Sequence, residues 1–128
     1  MLNKVNLDYE AAKIGNEIVM GIAEADKKDI ERCVTKALGI LQTNGVYASL
    51  LYMCAATGED EKISRWMMEK LLEISEPVLE VHFQNKSDPK EVLNDVISKV
   101  LSDIDSVLLI KELWEQTLIY ARYNARAR

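Results

Sequence analysis

Lys28, Arg32 and Lys36 stand four residues apart in a segment whose apolar positions, Ile30, Cys33, Val34, Ala37, Leu38 and Leu41, keep the spacing of an amphipathic helix. On a helical projection the three cations fall within about an 80° arc, roughly opposite the stripe centred on Ala37 and Leu41. Positions four apart are separated by about 6 Å along the axis, so the ridge could follow neighbouring phosphates of one nucleic-acid strand. Asp29 and Glu31 interleave with the cations, and a solvated face neutralised locally accounts for the same residues. A second cluster, Arg122, Arg126 and Arg128 with Tyr120 and Tyr123, offers phosphate contacts and rings on which a base could stack. The same cations equally suit the dipole at a helix C-terminus.

The inventory for catalysis is poor. His82 is the one histidine, and Glu80 lies two residues before it, which is not the Glu-x-x-His spacing of di-iron bundles. No metal site is expected on these ligand rules. Cys33 and Cys54 sit within apolar helical patterns, where an inert, buried thiol is the ordinary state. Ser49 and Ser64 have no histidine base beyond His82, and no Gly-rich phosphate loop occurs. Glu59-Asp60-Glu61 lacks calcium-loop spacing and reads as a helix start, where the macrodipole favours acidic residues. Neither an enzyme nor a bound cofactor is expected.

The elements that carry these residues are helices. Ala11, Ile14, Gly15, Ile18, Val19 and Ile22 share one face, predicting a helix over about 7–25. Asp26 caps the second helix, which ends near Thr43, and Asn44-Gly45 punctuates the chain. Val46 to Ala56 has only Ser49 as a clearly polar member, so this helix is either central in the bundle or docked against another protein. In the docked alternative Asn44, Gly45, Tyr47, Tyr52 and Met53 form the protein interface. After Gly58 a helix carries Ile63, Trp66, Met67, Leu71 and Ile74 and stops before Pro77.

Leu79, Val81 and Phe83 alternate with Glu80, His82 and Gln84, yet no partner strand is evident, so residues 75–87 read as a short helical or extended connector. Asp88-Pro89-Lys90-Glu91 supplies a cap, a Pro at the first helical position and a Glu able to close a capping box. Val92, Leu93, Val96, Ile97, Val100, Leu101 and Ile104 form the next stripe. A break at 102–105 precedes a last helix bearing Ile110, Leu113, Trp114, Thr117, Leu118 and Ala121. The expected fold is all-α, a compact single-domain bundle of about six helices over residues 1–128.

Composition agrees with that class. A chain of 128 residues, 48% apolar and 29% charged, with 5 Gly and 2 Pro, can bury a core without a disulfide or metal staple. A net charge of -5 does not attract a phosphate backbone as a whole, so any nucleic-acid contact must be local. The two cysteines lack the loop-borne spacing of a secreted disulfide scaffold, which points to a reducing, cytoplasmic compartment. No apolar run is long enough to span a bilayer, and the first residues contain no continuous apolar leader segment, so a soluble, untargeted protein is expected.

Lys36-Ala-Leu-Gly-Ile-Leu-Gln-Thr-Asn-Gly45 followed by Val46-Tyr-Ala-Ser-Leu-Leu-Tyr-Met53 resembles the second and third helices of the small, all-helical Cmr subunit of type III-B CRISPR effector complexes. Leu113-Trp-Glu-Gln-Thr-Leu-Ile-Tyr-Ala-Arg-Tyr-Asn-Ala125 is similar to that family's last helix. The chain has Leu38 where the family commonly has Pro, and Tyr120 where it has Trp. The resemblance implies a non-catalytic subunit in antiviral defence, stacked along guide and target RNA against other CRISPR effector subunits. It would place Lys28, Arg32, Lys36, Arg122 and Arg126 toward RNA and the Asn44 to Met53 region near a protein interface. The alternative from a different class is a helical, self-associating adaptor with no nucleic-acid role, motivated by acidity and the apolar third helix.

Overall fold

Six helices follow one another in the computed structural model, which describes residues 6–128: α1 (Leu7–Met20), α2 (Lys27–Asn44), α3 (Val46–Ala55), α4 (Glu59–Leu79), α5 (Pro89–Lys99) and α6 (Ile104–Ala127). The described residues contain no strand, and the architecture is the expected all-α bundle. Four of the helices open on a side-chain cap. Asn6 accepts from the Tyr9 N–H at 3.0 Å and Asp26 from the Lys28 N–H at 2.9 Å. Asp88 accepts from the Lys90 N–H at 3.1 Å and Asp103 from the Ser106 N–H at 3.2 Å. Each oxygen satisfies a donor that helix geometry leaves without a partner. Gly45 instead joins α2 directly to α3 at φ 99°, a backbone conformation that side chains resist, with its N–H on the Leu41 carbonyl at 3.0 Å.

Two boundaries and one cap differ from the sequence expectation. α1 stops at Met20 rather than near residue 25, because the Gly21 N–H caps the Glu17 carbonyl at 2.9 Å and the Trp66 ring lies where a side chain at Gly21 would project. α4 runs through Pro77 to Leu79. A proline removes only its own N–H and crowds the turn before it. Beyond it the Glu76 carbonyl still accepts from the N–H groups of Glu80 and Val81, while Ile74 and Val78 bury their side chains. Glu91 does not close a capping box at α5: it accepts from the Asn85 side-chain amide at 3.2 Å, and the Asp88 N–H goes to the Asn85 carbonyl at 3.2 Å.

The connector between α4 and α5 is neither helix nor strand, and its alternation has a cause other than a sheet. Phe83 is buried while His82 and Gln84 are exposed. Glu76 holds the turn by accepting from the Phe83 N–H at 2.9 Å and from Lys86 Nζ at 3.0 Å. The stripe of α5 is also narrower than its apolar residues suggest. Val92, Val96 and Val100 are buried, whereas Ile97 is 46% exposed, because α5 packs mainly on α3 and leaves its other side open; Ile104, which spacing counted in the same stripe, opens α6 instead and is 72% exposed.

α6 is the axis of the bundle, packing most extensively on α1 and α2. Gly15 makes the first contact close: a Cβ there would lie 2.9 Å from Tyr120 Cβ and 3.0 Å from the Thr117 carbonyl oxygen. Two buried polar side chains, Ser49 and Trp114, find partners on a neighbouring helix. Ser49, the clearly polar member of α3, donates to the Ala37 carbonyl of α2 at 2.9 Å. Trp114 Nε1 donates to Ser75 Oγ at 2.8 Å, and Ser75 donates to the Leu71 carbonyl at 2.7 Å. α2 packs on α6 as well, and Arg126 near the end of α6 donates to Glu31 of α2.

Candidate nucleic-acid interface

The packing of α2 on α6 brings one member of the C-terminal basic cluster, Arg126, beside the basic ridge of α2. Lys28, Glu31, Arg32, Thr35 and Lys36 of α2 and Arg126 of α6 line one shallow groove of about 390 Å³. Four cations, a carboxylate and a hydroxyl therefore share one surface. Their electrostatic states differ. The side chains of Lys28 and Lys36 make no hydrogen bond or ion pair among the described residues, so their ammonium groups are available to an incoming anion.

The two guanidinium groups are already engaged. Arg32 Nη1 and Nη2 each reach Asp60 at 2.8 Å, and Nη2 also lies 3.3 Å from Asp29. Hydrogen bonds from Asp60, then from Asp29, raise the Arg32 pKa, and the same bonds from Arg32 hold Asp60 below the usual carboxylate range. Arg126 donates from Nε to Glu31, which raises its pKa, and its guanidinium carbon stands 5.9 Å from the centre of the Tyr123 ring. Of the three cations on the α2 ridge, Arg32 is the one already paired. That residue bridges α2 to α4.

The remaining predicted residues divide. Arg122 is half-buried and does not line the groove; its Nε is buried without a hydrogen-bond partner among the described residues. Arg128 donates to Asn16 at 2.9 Å. Tyr120 is half-buried with its hydroxyl on Asp8, whereas Tyr123 is 58% exposed. On the proposed protein-interface face, Asn44 is exposed and Gly45, Tyr47 and Tyr52 are half-buried. Met53 is 0% exposed, so it fills the core and offers no surface to a partner; Leu51, at 42%, is the outward apolar residue of α3. Thr35 lines the groove and Asp60 anchors it, places that sequence reasoning did not give them; Glu31, read from the sequence as a neutraliser of the α2 cations, lines the groove and pairs with Arg126 of α6.

The other chemistry-bearing groups do not line this groove. His82 is 75% exposed on the connector with Nδ1 3.3 Å from Glu76. Cys33 is buried and its thiol is pushed up to about 11, first by burial and then by the nearby Asp60 carboxylate. Burial raises the half-buried Cys54 thiol too. Thiols held neutral in this way are poor nucleophiles. Among the described residues no group of three or more His, Cys, Asp or Glu side chains is placed to hold a metal ion, and no helix is long and apolar enough to cross a membrane. Comparison with family models, curated proteins and solved structures gave no match.

Proposed function

We propose that this chain is a non-catalytic, RNA-contacting helical subunit of a ribonucleoprotein, of the type III-B CRISPR effector kind that its second, third and last helices resemble. The observation that supports the reading is the convergence of Lys28, Arg32 and Lys36 with Arg126 on one groove, although Arg126 lies 95 residues beyond its partner Glu31. Cations that served only to neutralise their own helix faces need not meet. Two free ammonium groups eight positions apart on α2 span about 12 Å, enough to touch successive phosphates of one strand. Such contact is independent of base sequence and weakens with salt. With a net charge of -5 the chain as a whole opposes RNA, so the contact made by one copy is local and is read at low salt, and neighbouring subunits in the assembly strengthen it by raising the effective concentration.

Purification of the tagged protein from its native host at low salt tests the reading. Recovery of repeat-derived guide RNA with several larger subunits is expected; a single protein partner without RNA would replace the proposal with the adaptor reading. Within the assembly, Lys28→Ala and Lys36→Ala should each lower the slope of log affinity against log salt by about one. Unchanged RNA engagement in the double variant would remove the groove from the account.

The adaptor reading draws on one observation of its own. Ile104 and Leu108, one turn apart at the start of α6, are 72% and 59% exposed. Exposed apolar neighbours of this kind suit a protein contact. Sedimentation of the purified chain distinguishes the cases, since self-association in the absence of RNA is expected only of the adaptor.

A further inference from the structure

We propose that the groove takes its nucleic acid as an unpaired strand and that Tyr123 is the ring on which one of its bases stacks; this deepens, and rests on, the reading of the groove as a phosphate contact. The two tyrosines of the last helix are in opposite states. Tyr120 is half-buried and its hydroxyl is committed to Asp8. Tyr123 is 58% exposed, makes no hydrogen bond among the described residues, and meets Arg126 through its ring at 5.9 Å. Arg126 in turn lines the groove with Lys28 and Lys36. An open aromatic face therefore stands at the margin of a cationic track.

The geometry selects the form of the ligand. In a duplex the base faces are covered by their neighbours, and a ring lying beside the backbone finds nothing to stack on. An unpaired strand can turn a base outward onto the ring while its phosphates remain on the lysines. A track of about 12 Å between Lys28 and Lys36 accommodates a few phosphates of one strand and leaves no second row of cations for a complementary one. Arg126 then has two possible roles, pairing with Glu31 in the free protein and bracing the stacked base or its phosphate in the complex.

The purified full chain is tested at low salt with a uridine oligomer, an abasic oligomer of the same phosphate count, and a blunt RNA duplex. A 4-thiouridine oligomer provides the photo-crosslink. Crosslinking to Tyr123 is expected, with Tyr123→Ala losing about 5- to 100-fold in affinity for the uridine oligomer and little for the abasic one. Tyr123→Phe should bind as the parent does, because the hydroxyl takes no part. Equal loss on both oligomers, no loss on either, or parent binding to duplex as tight as to the strand would overturn the stacking proposal. If Tyr123→Ala is silent while the Lys28→Ala, Lys36→Ala double variant loses both oligomers, the groove stands and the stack falls. A silent double variant, or a parent chain that forms no crosslink at all, overturns both.

Discussion

Asp60 at the start of α4 accepts both terminal guanidinium nitrogens of Arg32 on α2, each at 2.8 Å, so the middle cation of the basic ridge is also the tie between two helices. To touch a phosphate, Arg32 would have to give up an in-plane, two-bond contact that already satisfies its charge. Arg32→Ala is therefore expected to flatten the salt dependence of RNA binding by clearly less than Lys28→Ala or Lys36→Ala. Its effect on folding should also be small, about 1 kcal/mol or less, because the Arg32 side chain is 55% exposed and solvent screens the pair. Salt titrations of the three single variants, with a urea melt of each, check both statements. A slope change for Arg32→Ala equal to that of the lysines would mean that the Asp60 contact opens on binding.

The buried pair Trp114 and Ser75 carries a larger stake. Ser75→Ala removes the acceptor of the indole N–H and leaves that donor buried alone, which should cost about 1–3 kcal/mol. Trp114→Phe leaves no such orphan, since Ser75 keeps its own bond to the Leu71 carbonyl; its cost is the space left by the smaller ring. The double variant should lose clearly less than the sum of the two single losses. Denaturant midpoints for the four proteins of the cycle give the coupling, and strict additivity would show that the hydrogen bond contributes nothing.

These two pairs also mark where the sequence was legible. Asp26, Asn44-Gly45 and Asp88-Pro89 announced their helix boundaries because capping and positive φ are settled within a few residues. Pro77 misled because its local penalty is outweighed by the burial of Ile74 and Val78, which no nearby pattern encodes. Met53, read as an interface residue, is buried and Leu51 faces out for a related reason: in an almost wholly apolar helix, periodicity does not say which side is exposed. The cations of the groove were visible in the sequence, but their partners were not. Arg32 to Asp60 and Arg126 to Glu31 join residues 28 and 95 positions apart, and only the packing of α2 on α4 and α6 brings them together.

Glu76 makes stability depend on acid. Burial alone would raise its pKa, but the Phe83 N–H, the Lys86 ammonium and His82 outweigh that and leave the pKa lowered. A carboxylate depressed in the folded state contributes stability that is fully present above its unfolded pKa and is lost as pH falls through its folded one. Glu76→Gln should therefore destabilise the protein at neutral pH, and the gap from the parent should shrink below the ordinary carboxylate value of 4.5. Urea midpoints measured from about pH 7 down to about pH 3 follow the gap. A gap that stays constant across that range would remove the charge of Glu76 from the clamp on the connector.

Glu31 supplies the prediction of opposite sign. Its carboxylate sits in the groove and occupies Arg126 Nε, so it both repels an incoming phosphate and withholds one of the four cations. Glu31→Gln keeps the shape of the side chain, removes the repulsion and frees the guanidinium charge. Affinity for single-stranded RNA should rise, and the slope against salt should steepen by about one as an additional counterion is released. Filter binding across a salt series, on the same preparation as Lys28→Ala and Lys36→Ala, makes the comparison direct. A gain in affinity with no change in slope would assign the effect of Glu31 to repulsion alone, while weaker binding would mean that the Glu31 to Arg126 pair shapes the groove that the strand requires.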